Sequence, residues 1–188
     1  MKIVFLYHPP ILKRLLSFIL IGILLTSYLK SFSQQISEYD AKTAFIIKVA
    51  GFVEWPENSM NKSSNFTISF IGNDPIEKVL NNKIKNAGLK IKGKNVVFKK
   101  INSAKEAEGS QILFIASSEK YDLYKIIKTI KSFPVLTIGD SEGFTENGVM
   151  INMFVDESLK FDVNKIATDE SGIYISSKLL AHAMKVIK

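Results

Sequence analysis

Five apolar residues in a row, Ile112-Leu113-Phe114-Ile115-Ala116, set the strongest constraint on how this chain folds. A strand with one wet face alternates apolar and polar side chains, whereas an unbroken apolar run belongs to a central strand covered on both faces. Three more strand candidates share the chain with it: Phe66 to Ile71, where Phe66, Ile68 and Phe70 point one way, Val96 to Ile101 with a basic flank, and Pro134 to Ile138. Segments of helical period lie between them. Ile76, Val79, Leu80 and Ile84 mark a helix from Pro75 to about Lys85. Asp74 is placed to cap it, Glu77 to complete a capping box, and Asn86-Ala87-Gly88 to close it. Leu123, Ile126, Ile127 and Ile130 mark a second helix from Glu119 to Lys131.

The flanks extend this pattern. Ala41, Phe45, Val49 and Phe52 predict a first helix from Ser37 to about Val53, ended by Trp55-Pro56. Asn58 to Asn65 reads as a polar loop and Ser103 to Glu108 as a short helix or turn. Val149 to Val155 and Leu159 to Val163, split by Asp156-Glu157-Ser158, read as a hairpin. Ile166, Ile173, Leu180 and Ile187 recur every seven residues and predict a last helix from Asn164 to about Val186. Strands alternating with helices favour one α/β domain with a mainly parallel sheet, helices on both faces and an antiparallel edge hairpin.

Residues 1–33 are organised differently. Lys2, Lys13 and Arg14 precede the uncharged run Leu15 to Leu25, and Ser31 and Ser33 stand three and one before Gln34. This is the three-part form of a secretory signal peptide, with residues 34–188 as the exported domain. A retained N-terminal anchor is the alternative. The segment holds four cations and no acid, so the net charge of +7 falls to +3 without it. That charge gives little ground for nucleic-acid binding, and no stable membrane insertion is expected after processing. The lysine series from Lys83 to Lys100 reads as a solvated face; an anionic lipid surface or an acidic partner is the alternative.

The chain has no cysteine, which excludes disulfides, thiol chemistry and cysteine metal sites. His182 is the one histidine after residue 33, so neither a metal site nor a Ser-His-acid triad is expected, and no cofactor. The carboxylates Asp122, Asp140, Glu142, Asp156, Glu157 and Asp162 form no recognisable acid–base pair. Two segments stand out. Phe52-Val53-Glu54-Trp55-Pro56 holds the only tryptophan and reads either as core closure or as a partner contact through Glu54, Trp55 and Pro56. Gly72-Asn73-Asp74-Pro75 reads as a strand-to-helix junction. With Gly139 and Asp140 it is also the candidate ligand contact, since small molecules bind at the carboxyl ends of parallel strands.

Several stretches, taken in order, resemble the YfiR-like family of small periplasmic proteins. They are Tyr39-x-x-Lys42-x-x-Phe45 leading to Phe52-Val53-Glu54-Trp55-Pro56, then Ile68 to Pro75, Ile112 to Ile115, and Pro134 to Asp140. Gly148 to Asn152, Phe161 to Asn164 and Gly172 to Leu180 complete the set. The resemblance implies a non-catalytic regulator, able to dimerise, that binds the periplasmic region of an inner-membrane signalling protein such as a diguanylate cyclase or sensor kinase. Such a regulator lowers cyclic di-GMP output and restrains biofilm formation. A small-molecule-binding sensory module is the alternative. The family often carries a cysteine where this chain has Ser110, so disulfide-based redox control is not expected here.

Overall fold

The computed structural model describes residues 38–61 and 63–188; the expected leader, residues 1–33, lies outside the described residues. The unbroken apolar run becomes β5, Ile112–Ile115, with all four side chains buried. Its two faces feed two separate cores. Ile112 and Phe114 join Phe66, Ile68, Phe70, Leu136 and Ile138 beneath helix α1 (38–49) and helix α3 (Ile76–Ala87). Leu113 and Ile115 face the other way, onto Leu123, Ile126 and Ile130 of α4 (Leu123–Ile130). This is the covered-on-both-faces arrangement expected of a central parallel strand.

The remaining strands are β1 (Val53–Glu54), β2 (Asn65–Ile71), β3 (Lys90–Ile91), β4 (Lys94–Ile101), β6 (Leu136–Gly139), β7 (Ile151–Asp156), β8 (Ser158–Asn164), β9 (Tyr174–Ile175) and β10 (Lys185–Ile187). Eight of the ten form one sheet in the order β10-β8-β7-β6-β5-β2-β4-β3. Neighbours from β7 through β6, β5 and β2 to β4 are parallel. At the opposite flank β7 and β8 form the antiparallel hairpin, turning at Glu157 with φ +55°, and β10 adds parallel to β8. The chain runs from β2 through α3 to β4 on one side, then crosses to β5 on the other. The point where the order reverses therefore lies between β2 and β5.

Several elements differ from the sequence expectation. The first helix ends at residue 49, passes through a 3-10 turn at Ala50–Phe52, and releases Val53 and Glu54 into a strand. Ile175 pairs with Val53 across a small two-stranded ribbon, β1–β9, which outcompetes another turn of helix. Part of the polar loop forms a short helix, α2 (Glu57–Asn61). Glu77 does not complete a capping box; its carboxylate meets Lys100 Nζ at 2.6 Å, while Asp74 Oδ1 accepts the Ile76 N–H at 2.9 Å. The two-residue strand β3, ahead of the Lys92-Gly93 turn, was outside the expected pattern; both turn residues have positive φ, as a tight hairpin requires.

The long last helix is not formed. Asn164 does cap a helix, its Oδ1 accepting the Ala167 N–H at 2.9 Å, but α5 stops at Glu170 (Lys165–Glu170). Gly172 takes φ +68°, the left-handed value that ends helices, and Tyr174-Ile175 then pairs with β1. Ser176 caps a second short helix, α6 (Ser177–Leu180), and β10 closes the chain. The seven-residue apolar spacing is shared by four different segments rather than one stripe.

Candidate functional site

Helix α1 lies along the sheet with its buried face at Lys42, Thr43, Ile46 and Val49, continued by Ala50 of the 3-10 turn. A lysine on that face needs a partner, because an unpaired buried charge is costly. Asp140, just past the carboxyl end of β6, supplies it. Lys42 Nζ lies 3.0 Å from Asp140 Oδ2, and the two side chains are 9% and 6% exposed. Gly139 precedes Asp140, and a Cβ there would fall 2.4 Å from the Phe144 ring, so only glycine lets the 140–144 turn close this tightly.

On the Asp140 side of the pair lies a cleft of about 250 Å³ lined by Asp140, Ser141, Glu142, Glu146, Asn152 and Asp162. Asn152 Oδ1 accepts the Ser141 N–H at 3.2 Å and fixes the turn. Burial, and then repulsion from Glu146, push the Asp162 carboxyl above its ordinary value, while Lys185 pulls the other way. Glu146 accepts a hydrogen bond from Lys185 Nζ at 2.6 Å, which holds its carboxyl low and the Lys185 ammonium high. The cleft is thus an acidic rim balanced by two lysines. Among the described residues no group of three or more His, Cys, Asp or Glu is arranged to hold a metal.

The other candidate ligand residues sit at the same end of the sheet, two strands away. Gly72 has φ +90°, and a Cβ there would lie 2.6 Å from Ser118 Oγ and 2.9 Å from Ala116 Cβ. Ser118 Oγ accepts the Asn73 N–H at 2.8 Å, and Lys100 Nζ donates to the Gly72 carbonyl. The crevice where the strand order reverses is therefore filled by the 116–119 turn. Gly72, Asn73 and Asp74 serve that junction, the structural role their sequence also suggests, and Asp140 pairs with Lys42.

Glu54, Trp55 and Pro56 lie at the opposite, amino end of the strands. Trp55 is only 7% exposed; its Nε1–H donates to the Gln111 carbonyl at 2.9 Å, and its ring meets Phe66 edge-on at 5.3 Å. The indole is part of the core. Its neighbours face out: Glu54 is exposed, as is Tyr174 across the β1–β9 ribbon, and Pro56 borders a cleft of about 340 Å³ with Gly109, Gln111 and Pro134. Sequence reasoning missed Lys42 and Tyr174. Lys42 stood in the Tyr39-x-x-Lys42-x-x-Phe45 stretch, but nothing local tied it to Asp140. The cavity of about 580 Å³ between α4, the 146–150 turn and α5 was also missed; Ile127, Ile130, Met150 and Ala167 give it apolar walls. His182 is exposed just after α6, its Nδ1 2.8 Å from the Lys178 carbonyl oxygen.

The fold and these clefts define a doubly covered α/β domain whose buried charges are occupied in holding it together. Residues 39–184 match the family model described as YfiR/HmsC-like, and the chain belongs to that family. It is a periplasmic family of non-catalytic regulatory domains, known as negative regulators of membrane sensor and diguanylate cyclase proteins. No curated protein matches the chain. Among solved structures, a conserved domain protein from Vibrio cholerae O1 biovar El Tor str. N16961 is similar with TM-score 0.51 and 13% identity, over 64% of this chain and 54% of that one. The ABC domain in complex with L-Trp from Streptococcus pneumonia gives TM-score 0.52 and 13% identity, over 77% and 59%. The chain thus spans somewhat over half the length of either, and at this identity the likeness concerns the fold alone. No helix among the described residues is long and apolar enough to cross a membrane.

Proposed function

We propose that this chain works in the periplasm as a non-catalytic regulator. It binds the periplasmic region of an inner-membrane signalling protein, a diguanylate cyclase or a sensor kinase, and lowers its output, with cyclic di-GMP and biofilm formation as the readout of the cyclase case. The observation that carries this is the family match, which covers almost the whole folded unit Tyr39–Lys188. The leader expected over residues 1–33 would deliver it there. Glu54, Pro56 and Tyr174 offer a contact surface at the β1–β9 ribbon, with Trp55 holding it from behind; a homodimer is compatible with the same role. The test is capture of the tagged full-length chain from membranes of its native cell. Recovery of a sensor kinase or cyclase with a periplasmic region is expected. Repeated recovery of neither, with the chain itself exported, refutes the reading.

A second reading rests on the cavity between α4 and α5. Its volume of about 580 Å³ falls in the range of small-molecule sites. A periplasmic sensory module would bind its ligand there rather than at Gly72 or Gly139. A thermal-shift screen of small metabolites checks it: a concentration-dependent rise in Tm that is lost on Ile127→Trp supports this reading, and no rise across the screen removes it.

A further inference from the structure

Strand β4 has an open side. β2 pairs with it from Asn95 to Ile101, but on the outer side β3 reaches only Lys94 and Asn95. One more outward bond follows, from the Val96 N–H to the Leu89 carbonyl at 2.9 Å. Alternate residues of a strand turn both main-chain groups to the same side. The N–H and C=O of Phe98 and Lys100 therefore face outward with Val96, and no described residue takes them up. Beside this edge runs a groove of about 340 Å³ walled by Ile84, Leu89, Val96 and Phe98. Every charged residue between Glu77 and Glu106 is a lysine. Lys85, Lys90 and Lys92 are exposed and make no ion pair with any described residue.

We propose that the outer edge of β4 receives an extended acidic segment of a protein partner as an added strand. The main-chain groups of Phe98 and Lys100 supply the ladder, the groove beside α3 takes alternate apolar side chains, and the lysines of the β3 turn select for carboxylates. A second copy of this chain is the wrong occupant, since pairing two such edges would bring lysine against lysine, the device by which edge strands avoid self-association. This deepens the regulator reading and rests on it for the partner's identity.

Two ten-residue peptides, one alternating Val and Glu and one alternating Val and Lys, serve as probes for the full-length chain. Amide hydrogen exchange is read by NMR. The Val-Glu peptide slows exchange at Phe98 and Lys100 about tenfold at a concentration of ~9 Kd, where one site in ten is empty. Lys90→Glu/Lys92→Glu, at two exposed positions, abolishes this while leaving the unfolding midpoint unchanged. Binding that leaves those two amides unprotected, or equal protection by Val-Lys, overturns the proposal. So does binding of anionic phosphatidylglycerol vesicles in place of the peptide. Membrane capture separates the two readings. Loss of the partner in the double variant supports the edge; equal capture by both proteins sinks the edge and keeps the regulator. Capture by neither sinks the regulator, and the exchange result still decides the edge.

Discussion

Trp55 decides whether the Phe52 to Pro56 segment is core or interface. The structure gives a magnitude for its removal. A tryptophan buries up to about 250 Å², and this one is 7% exposed. At ~25 cal/mol per Å² the transfer is worth at most about 6 kcal/mol. Residual compaction of the unfolded chain trims that to about 4–5 kcal/mol, within the ~3–5 kcal/mol found for large aromatic-to-alanine changes. Trp55→Ala should therefore lower the urea midpoint by about 2 M for an m-value of ~2 kcal/mol/M, and Tm by about 8–20 °C. Trp55→Phe isolates the indole N–H. The Gln111 carbonyl keeps its second donor, the Leu136 N–H at 2.9 Å, so that variant should lose only about 1 kcal/mol. Far-UV circular dichroism in urea measures both, and the single indole reports unfolding of the wild type. A Trp55→Ala chain as stable as wild type but unable to capture its membrane partner would refute the core assignment.

Other perturbations follow from the same geometry. Lys42→Met removes the cation beside the buried Asp140 carboxylate and should cost about 3–5 kcal/mol, whereas Lys42→Met/Asp140→Leu should recover most of it in a double-mutant cycle; additive losses would mean the pair is not coupled. Gly139→Ala drives a Cβ into Phe144 and should cost about 1–3 kcal/mol by urea titration, with partial rescue by Phe144→Leu. Lys185→Met removes the partner that lowers both carboxyls, so the Glu146 and Asp162 midpoints should both rise in a carboxyl-carbon NMR titration. The signs for stability are opposite. The native Glu146 value lies below 4.5, so its contribution is present above 4.5 and lost as pH falls through the native value. The native Asp162 value lies above 3.8, so its contribution is present below 3.8 and lost as pH rises through the native value; Asp162→Asn should flatten that limb.

The elements that were legible are those whose signal is local. The unalternating run at Ile112 to Ile115 announced a strand covered on both faces, and the apolar period at Leu123, Ile126 and Ile130 announced α4. The misreadings have a common cause, in that a period can be assembled from unrelated pieces. Ile173 belongs to the core below the β1–β9 ribbon, while Ile166 is 47% exposed and Ile187 lies on β10. Gly172 carried the contrary signal, since a glycine in left-handed conformation ends a helix whatever the apolar spacing beyond it. The buried stripe of α1 was displaced by one residue for a related reason: Lys42 looks like a surface position until a carboxylate 98 residues away neutralises it.

Cysteine absence sharpens the same point about distant partners. Ser110, which stands where the family resemblance expects a cysteine, is 4% exposed, and its Oγ lies 2.7 Å from Oγ of the fully buried Ser69 on β2. A buried hydroxyl must find a partner or lose about 1–3 kcal/mol, and here each satisfies the other. The link between the loop before β5 and the neighbouring strand is thus a hydrogen bond, with no covalent closure to restrict the unfolded chain. Stability must then come from the two cores, with the Lys42–Asp140 pair fixing how α1 meets the end of β6. Gly72 and Asp140, which the sequence offered as candidate ligand contacts beside a structural reading, serve the β2–α3 junction and the pair with Lys42. What the fold leaves uncommitted lies elsewhere, in the outward groups of β4, the exposed lysines beside them, and the Glu54–Tyr174 face of the ribbon. A regulator that acts by contact has its recognition chemistry at such uncommitted edges, and the occupied strand ends serve to hold those edges still.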